Sequence, residues 1–257
     1  MLHLLKSTLT IAVVFLLQNV IAQDNVTAQD NKIAKDSLRI KYFLSATGLA
    51  QTGNVERILL PTQSSIAFSK NKIELKQTQN YSYGTIGTPA GKTKVEDELL
   101  VRTEFAVFQK KRLYPYTWGL YEKSNIRNIT QRWLGGVGIG LNIINTKQHT
   151  LSFRNGIASE QTLFKVKEDN NVIRYSARIA GTHWLFNRKI SIIHETFIQP
   201  AINKSEDLRF RTLWRINVPI WKHIALTTLI DNGYESVVDF GKKKNNFFIS
   251  YGLNIAN

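Results

Sequence analysis

The sequence predicts an all-β fold: a single closed antiparallel transmembrane β-barrel of about twelve strands. Three observations predict it. From residue 38 onward apolar residues recur at every second position, and no window keeps the i, i+3, i+4 spacing of an amphipathic helix beyond a turn. No stretch after the N-terminus approaches the roughly twenty apolar residues a helix needs to cross a bilayer, so any crossing must use strands. The connections between alternating segments are by turns short and long, as outer-membrane barrels require.

Taken in order, the chain opens on a short stretch bearing Lys6, then an apolar run over 9–17 and Val20-Ile21-Ala22 ahead of Gln23. That order is the pattern of a secretory signal peptide over 1–22, cleaved after Ala22. Residues 23–37 are polar and nearly free of large apolar groups, which predicts a flexible tether, since such a segment buries too little to offset its ordering entropy. The barrel is expected over 38–257. Its alternating segments lie near 39–50, 55–68, 72–83, 98–109, 113–122, 131–144, 148–160, 172–186, 189–199, 207–217, 222–232 and 245–255. The clearest sets Leu208, Phe210, Trp214 and Ile216 against Arg209, Arg211 and Arg215; the last sets Phe247, Ile249, Tyr251, Leu253 and Ile255 against Phe248, Ser250, Gly252 and Asn254. In another, Val137, Ile139, Leu141 and Ile143 alternate with Gly136, Gly138, Gly140 and Asn142, where the glycines let the sheet bend or make room in the lumen. An even strand count suits closure, which leaves no unpaired edge in lipid.

With the N-terminus periplasmic, the short connections fall at 70–71, 110–112, 146–147, 187–188 and 218–221, and the long outward ones at 84–97, 123–130, 161–171 and 233–244. The connection at 52–54 is the exception. Tyr114, Tyr116 and Trp118 share one face near a periplasmic end, and Trp133, Trp214 and Trp221 fall near other strand ends, so interfacial aromatic girdles are expected there.

Composition narrows the function. The chain of 257 residues contains no cysteine, which excludes disulfides, thiolate metal sites and a lipoprotein anchor. Formal charge is +15, and losing Lys6 with the signal leaves +14. The basic residues are scattered through alternating segments rather than clustered, so no nucleic acid is expected as partner. The expected partners are outer-membrane lipid and lipopolysaccharide, whose phosphates Lys242, Lys243 and Lys244 suit. The expected location is the outer membrane and the expected state a monomer.

Ser45-Ala46-Thr47-Gly48-Leu49 with Thr52-Gly53-Asn54, and Gln131-Arg132-Trp133-Leu134-Gly135-Gly136-Val137-Gly138 followed by Leu151-Ser152-Phe153-Arg154-Asn155-Gly156, carry a resemblance. They resemble the YdiY-like salt-induced outer membrane protein family, a domain of unknown function, from about residue 40 to the end. The resemblance implies a barrel in the outer membrane and carries no catalytic residues to transfer. One departure stands: the chain ends Ile255-Ala256-Asn257 where many such barrels end on an aromatic residue read by the insertion machinery, so Phe247, Tyr251 and Leu253 would serve that partner instead.

Chemistry is sparse. The residues two after His149, His183, His194 and His223 are Leu151, Leu185, Thr196 and Ala225, so none offers the His and Ser two apart that a lipid-hydrolysing barrel would use. Only His194-Glu195-Thr196 keeps a hydroxyl, and lipid processing stays a weak alternative. No histidines sit at metal-ligand spacing, Asp231-Asn232-Gly233 lacks the later glutamate of a calcium loop, and no cofactor or enzymatic activity is expected. Alternation places Arg102, Arg154, Arg174, Arg178, Arg209, Arg211 and Arg215 as lumen candidates, with Glu104, Glu160 and Glu195 as their partners. Such a lumen is either filled by structural ion pairs, giving a barrel of structural or envelope-stress role, or a narrow passage favouring small anions.

Overall fold

The computed structural model describes residues 38–51, 57–88 and 91–256; the signal peptide and tether expected over 1–37 lie outside the described residues. Twelve antiparallel strands follow one another around a closed sheet. Strand β1 (Arg39–Thr47) is interrupted at Gly48 and resumes as Leu49–Gln51. It is followed by β2 (Arg57–Lys70), β3 (Ile73–Thr88), β4 (Gly91–Val107), β5 (Leu113–Ser124), β6 (Ile129–Asn145), β7 (His149–Phe164), β8 (Asn170–Leu185), β9 (Ile190–Pro200), β10 (Leu208–Pro219), β11 (Ile224–Glu235) and β12 (Asn245–Ala256). Each strand pairs with its sequence neighbours, and β1 closes the ring by pairing with β2 on one side and with β12 on the other, from Phe43↔Ala256 to Thr47↔Gly252. Closure removes the edges that an open sheet would leave unpaired.

Period-two alternation decides which side chains fill the ring. In β5 the burial of Tyr114, Tyr116, Trp118, Leu120, Glu122 and Ser124 alternates with exposure or half-exposure of their neighbours. The barrel is inside-out: polar and charged side chains such as Arg132, Arg174, Glu122 and Glu160 are buried in the lumen, while Val137, Ile157, Leu253, Trp133 and Tyr251 are exposed outside. A soluble protein rarely exposes so continuous an apolar surface.

Three differences from the sequence reading have physical causes. Tyr114, Tyr116 and Trp118 form no girdle; they line the lumen in an apolar cluster with Leu100, Ala106, Leu120, Leu134 and Ala158. Alternation reveals a shared face but not whether that face points inward. What turns it inward is the facing strand: a Cβ at Gly136 would sit 2.6 Å from the Trp118 ring, and those at Gly138 and Gly140 would collide with Tyr116 and Tyr114. The glycines thus provide the slot in which Tyr116 and Trp118 stack, ring centroids 5.0 Å apart.

The expected long loop over 84–97 is instead an extension of the β3–β4 hairpin, which shifts register between Gly84 and Thr85 and runs on to Thr88 and Gly91. Both faces of that extension are polar, so period two disappears from the sequence although the backbone ladder continues. The connections expected over 123–130 and 161–171 also shrink, to 125–128 and 165–169, because the strands run on to bury Ser124, Ile129 and Phe164, so the length contrast between the two ends is weaker than the sequence suggests. At the other end, the turn between β8 and β9 holds Phe186, Asn187 and Arg188 all at positive φ.

Candidate functional site

The lumen is built from two layers of charge. Towards the end bearing the loops 125–128, 165–169, 201–207 and 236–244, four arginines meet four carboxylates in one network. Arg132 donates to Glu122 at 2.6 Å and to Glu235 at 2.7 Å, Arg174 to Glu160 and to Asp207 at 2.9 Å each, and Arg209 to Glu160 at 2.5 Å. Arg127 reaches in from the 125–128 turn to Glu122 and, at 2.6 Å, to Glu235. Four guanidinium groups balance these four carboxylates, and Glu98 approaches Arg127 as a fifth at 3.9 Å; Arg132, Arg174, Glu122 and Glu160 are almost wholly buried, so their charges are satisfied by one another rather than by bulk water.

The second layer lies nearer the short-turn end. Glu104 accepts from Arg178 and, at 2.7 Å, from Arg154; Glu195 accepts from Arg102 at 2.6 Å and from Arg178 at 2.7 Å. Arg154 also donates to the Tyr114 hydroxyl at 2.9 Å. Arg211 pairs with Asp231 at 2.5 Å on the neighbouring strand. Lys76 and Arg215 stand apart. Neither forms an ion pair among the described residues, and the Arg215 guanidinium lies 4.3 Å from the Phe43 ring centroid instead. The cationic face of this layer is therefore incompletely neutralised.

Two cavities lie end to end along the lumen. The one towards the short turns, about 640 Å³, is lined by nine Lys or Arg side chains and three carboxylates, those of Glu74, Glu104 and Glu195. The one towards the loops, about 340 Å³, is lined by four cations and five carboxylates. They share Gln63, Asn80, Leu100, Phe197, Arg211 and Leu213, which form a waist between them. At this waist Leu100 and Phe197 are apolar and buried, and Arg211 is the cation on both sides.

The structure therefore places the sequence-derived arginines and glutamates in two separate layers. Arg174, Arg209 and Glu160 belong to the first layer, Arg102, Arg154, Arg178, Glu104 and Glu195 to the second, Arg211 lines both cavities and Arg215 the larger. Sequence reasoning missed Glu122, Arg127, Arg132, Asp207, Glu235 and Lys76. Glu122 and Arg132 were detectable, because they continue the alternation of Tyr116-Trp118-Leu120 and of Gly136-Leu134. Arg127 and Asp207 come from connections, where no periodicity marks them.

Three histidines far apart in sequence meet on the outer face. His149 and His183 share a hydrogen bond of 3.3 Å between Nδ1 atoms, His183 and His194 one of 3.1 Å between Nε2 atoms, and His194 stacks on Trp214. Thr196 hydrogen-bonds Thr212 at 2.7 Å rather than a histidine. Among the described residues no group of His, Asp or Glu has the geometry of a metal site.

Fold and lumen together define a class: a closed twelve-stranded antiparallel barrel with an apolar exterior and an Arg/Glu-lined interior. The chain belongs to the family described as "Protein of unknown function, DUF481", whose profile matches residues 45–256. Among curated proteins nothing matches the sequence. Solved structures similar to it include a NanC porin, at 10% identity and TM-score 0.49, covering 84% of this chain and 98% of the porin. A KdgM porin in complex with disordered oligogalacturonate is similar at 7% identity and TM-score 0.44, covering 84% of this chain and 98% of that chain. An outer membrane channel from Pseudomonas putida F1 is similar at 8% identity and TM-score 0.44, covering 89% of this chain and 100% of that chain.

Proposed function

We propose that this protein is an outer-membrane barrel whose lumen is a narrow passive path favouring small anionic solutes. The observation that carries the reading is the larger cavity, where nine cations face three carboxylates and Lys76 and Arg215 have no ion-pair partner among the described residues. Arginines in a low-dielectric pore attract anions and repel cations, and the waist at Leu100 and Phe197 limits the size of what passes. The membrane setting rests on the apolar exterior and the closed ring, since a barrel in lipid must satisfy every backbone group internally. In this reading the short turns face the periplasm, and Lys242, Lys243 and Lys244 face lipopolysaccharide phosphates.

A second reading has its own observation. The neutral layer of Arg127, Arg132, Arg174 and Arg209 with Glu122, Glu160, Asp207 and Glu235 fills much of the lumen on the β5–β8 side. That supports a barrel of structural or envelope-stress role, in keeping with the resemblance to the YdiY-like salt-induced proteins.

Single-channel recording of the refolded protein in a planar bilayer separates the two, with selectivity read from the reversal potential in a salt gradient. A steady anion-selective current that loses selectivity in Lys76→Gln/Arg215→Gln supports the path; these two are the variants of choice because their removal strands no carboxylate. A folded barrel that stays electrically silent supports the structural role.

A further inference from the structure

The outer face of β3 carries a polar stripe in the middle of an apolar one. Its outward residues run Ile73, Leu75, Gln77, Gln79, Tyr81, Tyr83, because Lys76, Thr78 and Asn80 line the lumen. Ten residues of tilted strand cover about the height of the apolar band, roughly 25 Å, so Gln77 and Gln79 straddle its midpoint. Both are exposed. The stripe continues sideways, since Gln79 is directly paired with Ser64 of β2 and Gln77 with Thr103 of β4. Among the described residues neither glutamine side chain makes a hydrogen bond. Three outward hydroxyls elsewhere on the barrel are satisfied: Thr117 donates to the Gly136 carbonyl at 2.8 Å, and Thr196 and Thr212 satisfy each other.

An amide facing hydrocarbon with no partner is costly, and water is not there to supply one. A primary amide carries both donor and acceptor, so the stripe is complementary to itself. We propose that the β2–β4 face, centred on Gln77 and Gln79, is an interface with a second copy of this chain. A two-fold axis along the membrane normal brings the same patch of each copy together, pairing amide with amide. The flanking Leu75, Ile66 and Phe105 then pack across the contact while the amides fix its register. The inference rests on the membrane setting proposed above, and it departs from the monomer expected from sequence.

The absence of cysteine makes the test clean. Gln79→Cys is introduced as the sole thiol, with Ile179→Cys on β8, five strands around the barrel, as control. Both are oxidised in lipid vesicles with a copper catalyst. The expected result is a covalent dimer from Gln79→Cys at least tenfold above the control. Equal yields would overturn the interface, as would crosslinking in cell membranes to a different protein. Light scattering of the detergent complex gives a second readout: two chains for the parent and one for Gln77→Leu/Gln79→Leu, with a single-chain parent counting against the proposal. Extraction separates the two layers of argument. A chain that urea strips from membranes sinks the membrane setting, whereas an embedded chain without crosslinks sinks only the interface.

Discussion

Glu160→Gln is the most informative single change in the barrel. Glu160 is fully buried and accepts from Arg174 through both oxygens at 2.9 Å each and from Arg209 at 2.5 Å, with Arg132 a further 3.7 Å away. Neutralising it leaves three guanidinium groups competing for Glu122, Asp207 and Glu235. Breaking a buried pair by removing one partner costs about 3–5 kcal/mol, because the surviving charge stays desolvated. At about 1.4 kcal/mol per tenfold, the folding constant falls by roughly two to three and a half orders of magnitude. Replacing both ends with apolar groups, as in Glu160→Leu/Arg209→Met, is expected to recover much of the loss, and a double-mutant cycle isolates the coupling. Urea titration in lipid vesicles, followed by tryptophan fluorescence and by the gel-mobility shift of the folded barrel, measures each variant. A Glu160→Gln barrel within about 1 kcal/mol of the parent would refute the claim that this layer is desolvated.

Other expectations follow from single sites. Gly138→Val drives a side chain into the Asn155 carbonyl and the Tyr116 ring and is expected to destabilise by about 1–3 kcal/mol or block folding, whereas Gly135→Ala, with open space around its Cβ, stays within about 0.5 kcal/mol; urea midpoints decide. Leu100→Ala/Phe197→Ala widens the waist and is expected to raise single-channel conductance more than it changes selectivity. Asp239 sits in the 236–244 loop and clasps the 165–169 loop: burial alone would raise its carboxyl, but the amide N–H groups of Phe240 and Lys167 more than offset it and hold it below the ordinary value. Its stabilisation is therefore present above the unfolded carboxylate value and is lost as pH falls through the lower folded one. Nicking of this loop by an acid-active protease should rise only below about pH 4, and Asp239→Ala should be nicked at that same high rate well above it.

The fold was legible because a barrel writes itself into sequence as period two, and eleven of the twelve strands begin within two residues of where alternation puts them, β4 being the exception. Alternation fails where both faces meet water. That is why β3 and β4 run past the expected ends, to Thr88 and from Gly91. It also fails to tell in from out where a face mixes aromatics with charge. Tyr114-x-Tyr116-x-Trp118 reads as a girdle until Gly136, Gly138 and Gly140 are seen across the strand pair, accommodating those rings. For the lumen, alternation grouped Arg209, Arg211 and Arg215 but could not distribute partners: Arg209 meets Glu160, 49 residues away, Arg211 meets Asp231, and Arg215 meets Phe43. Partner choice depends on strand stagger around the ring, which no local pattern encodes. The His149–His183–His194 row is invisible for the same reason, since register alone aligns it.

The central claim is an inside-out barrel spanning a membrane, and cysteine scanning of β10 tests it most directly. Single cysteines are placed in turn from 209 to 216 in the cysteine-free chain, reconstituted in vesicles and exposed to a small water-soluble maleimide and to a lipid-soluble one. The account expects period two: the water-soluble reagent labels 211, 213 and 215 through the lumen, and the lipid-soluble one labels 210, 212, 214 and 216. Uniform labelling by the water-soluble reagent at even and odd positions alike would contradict it.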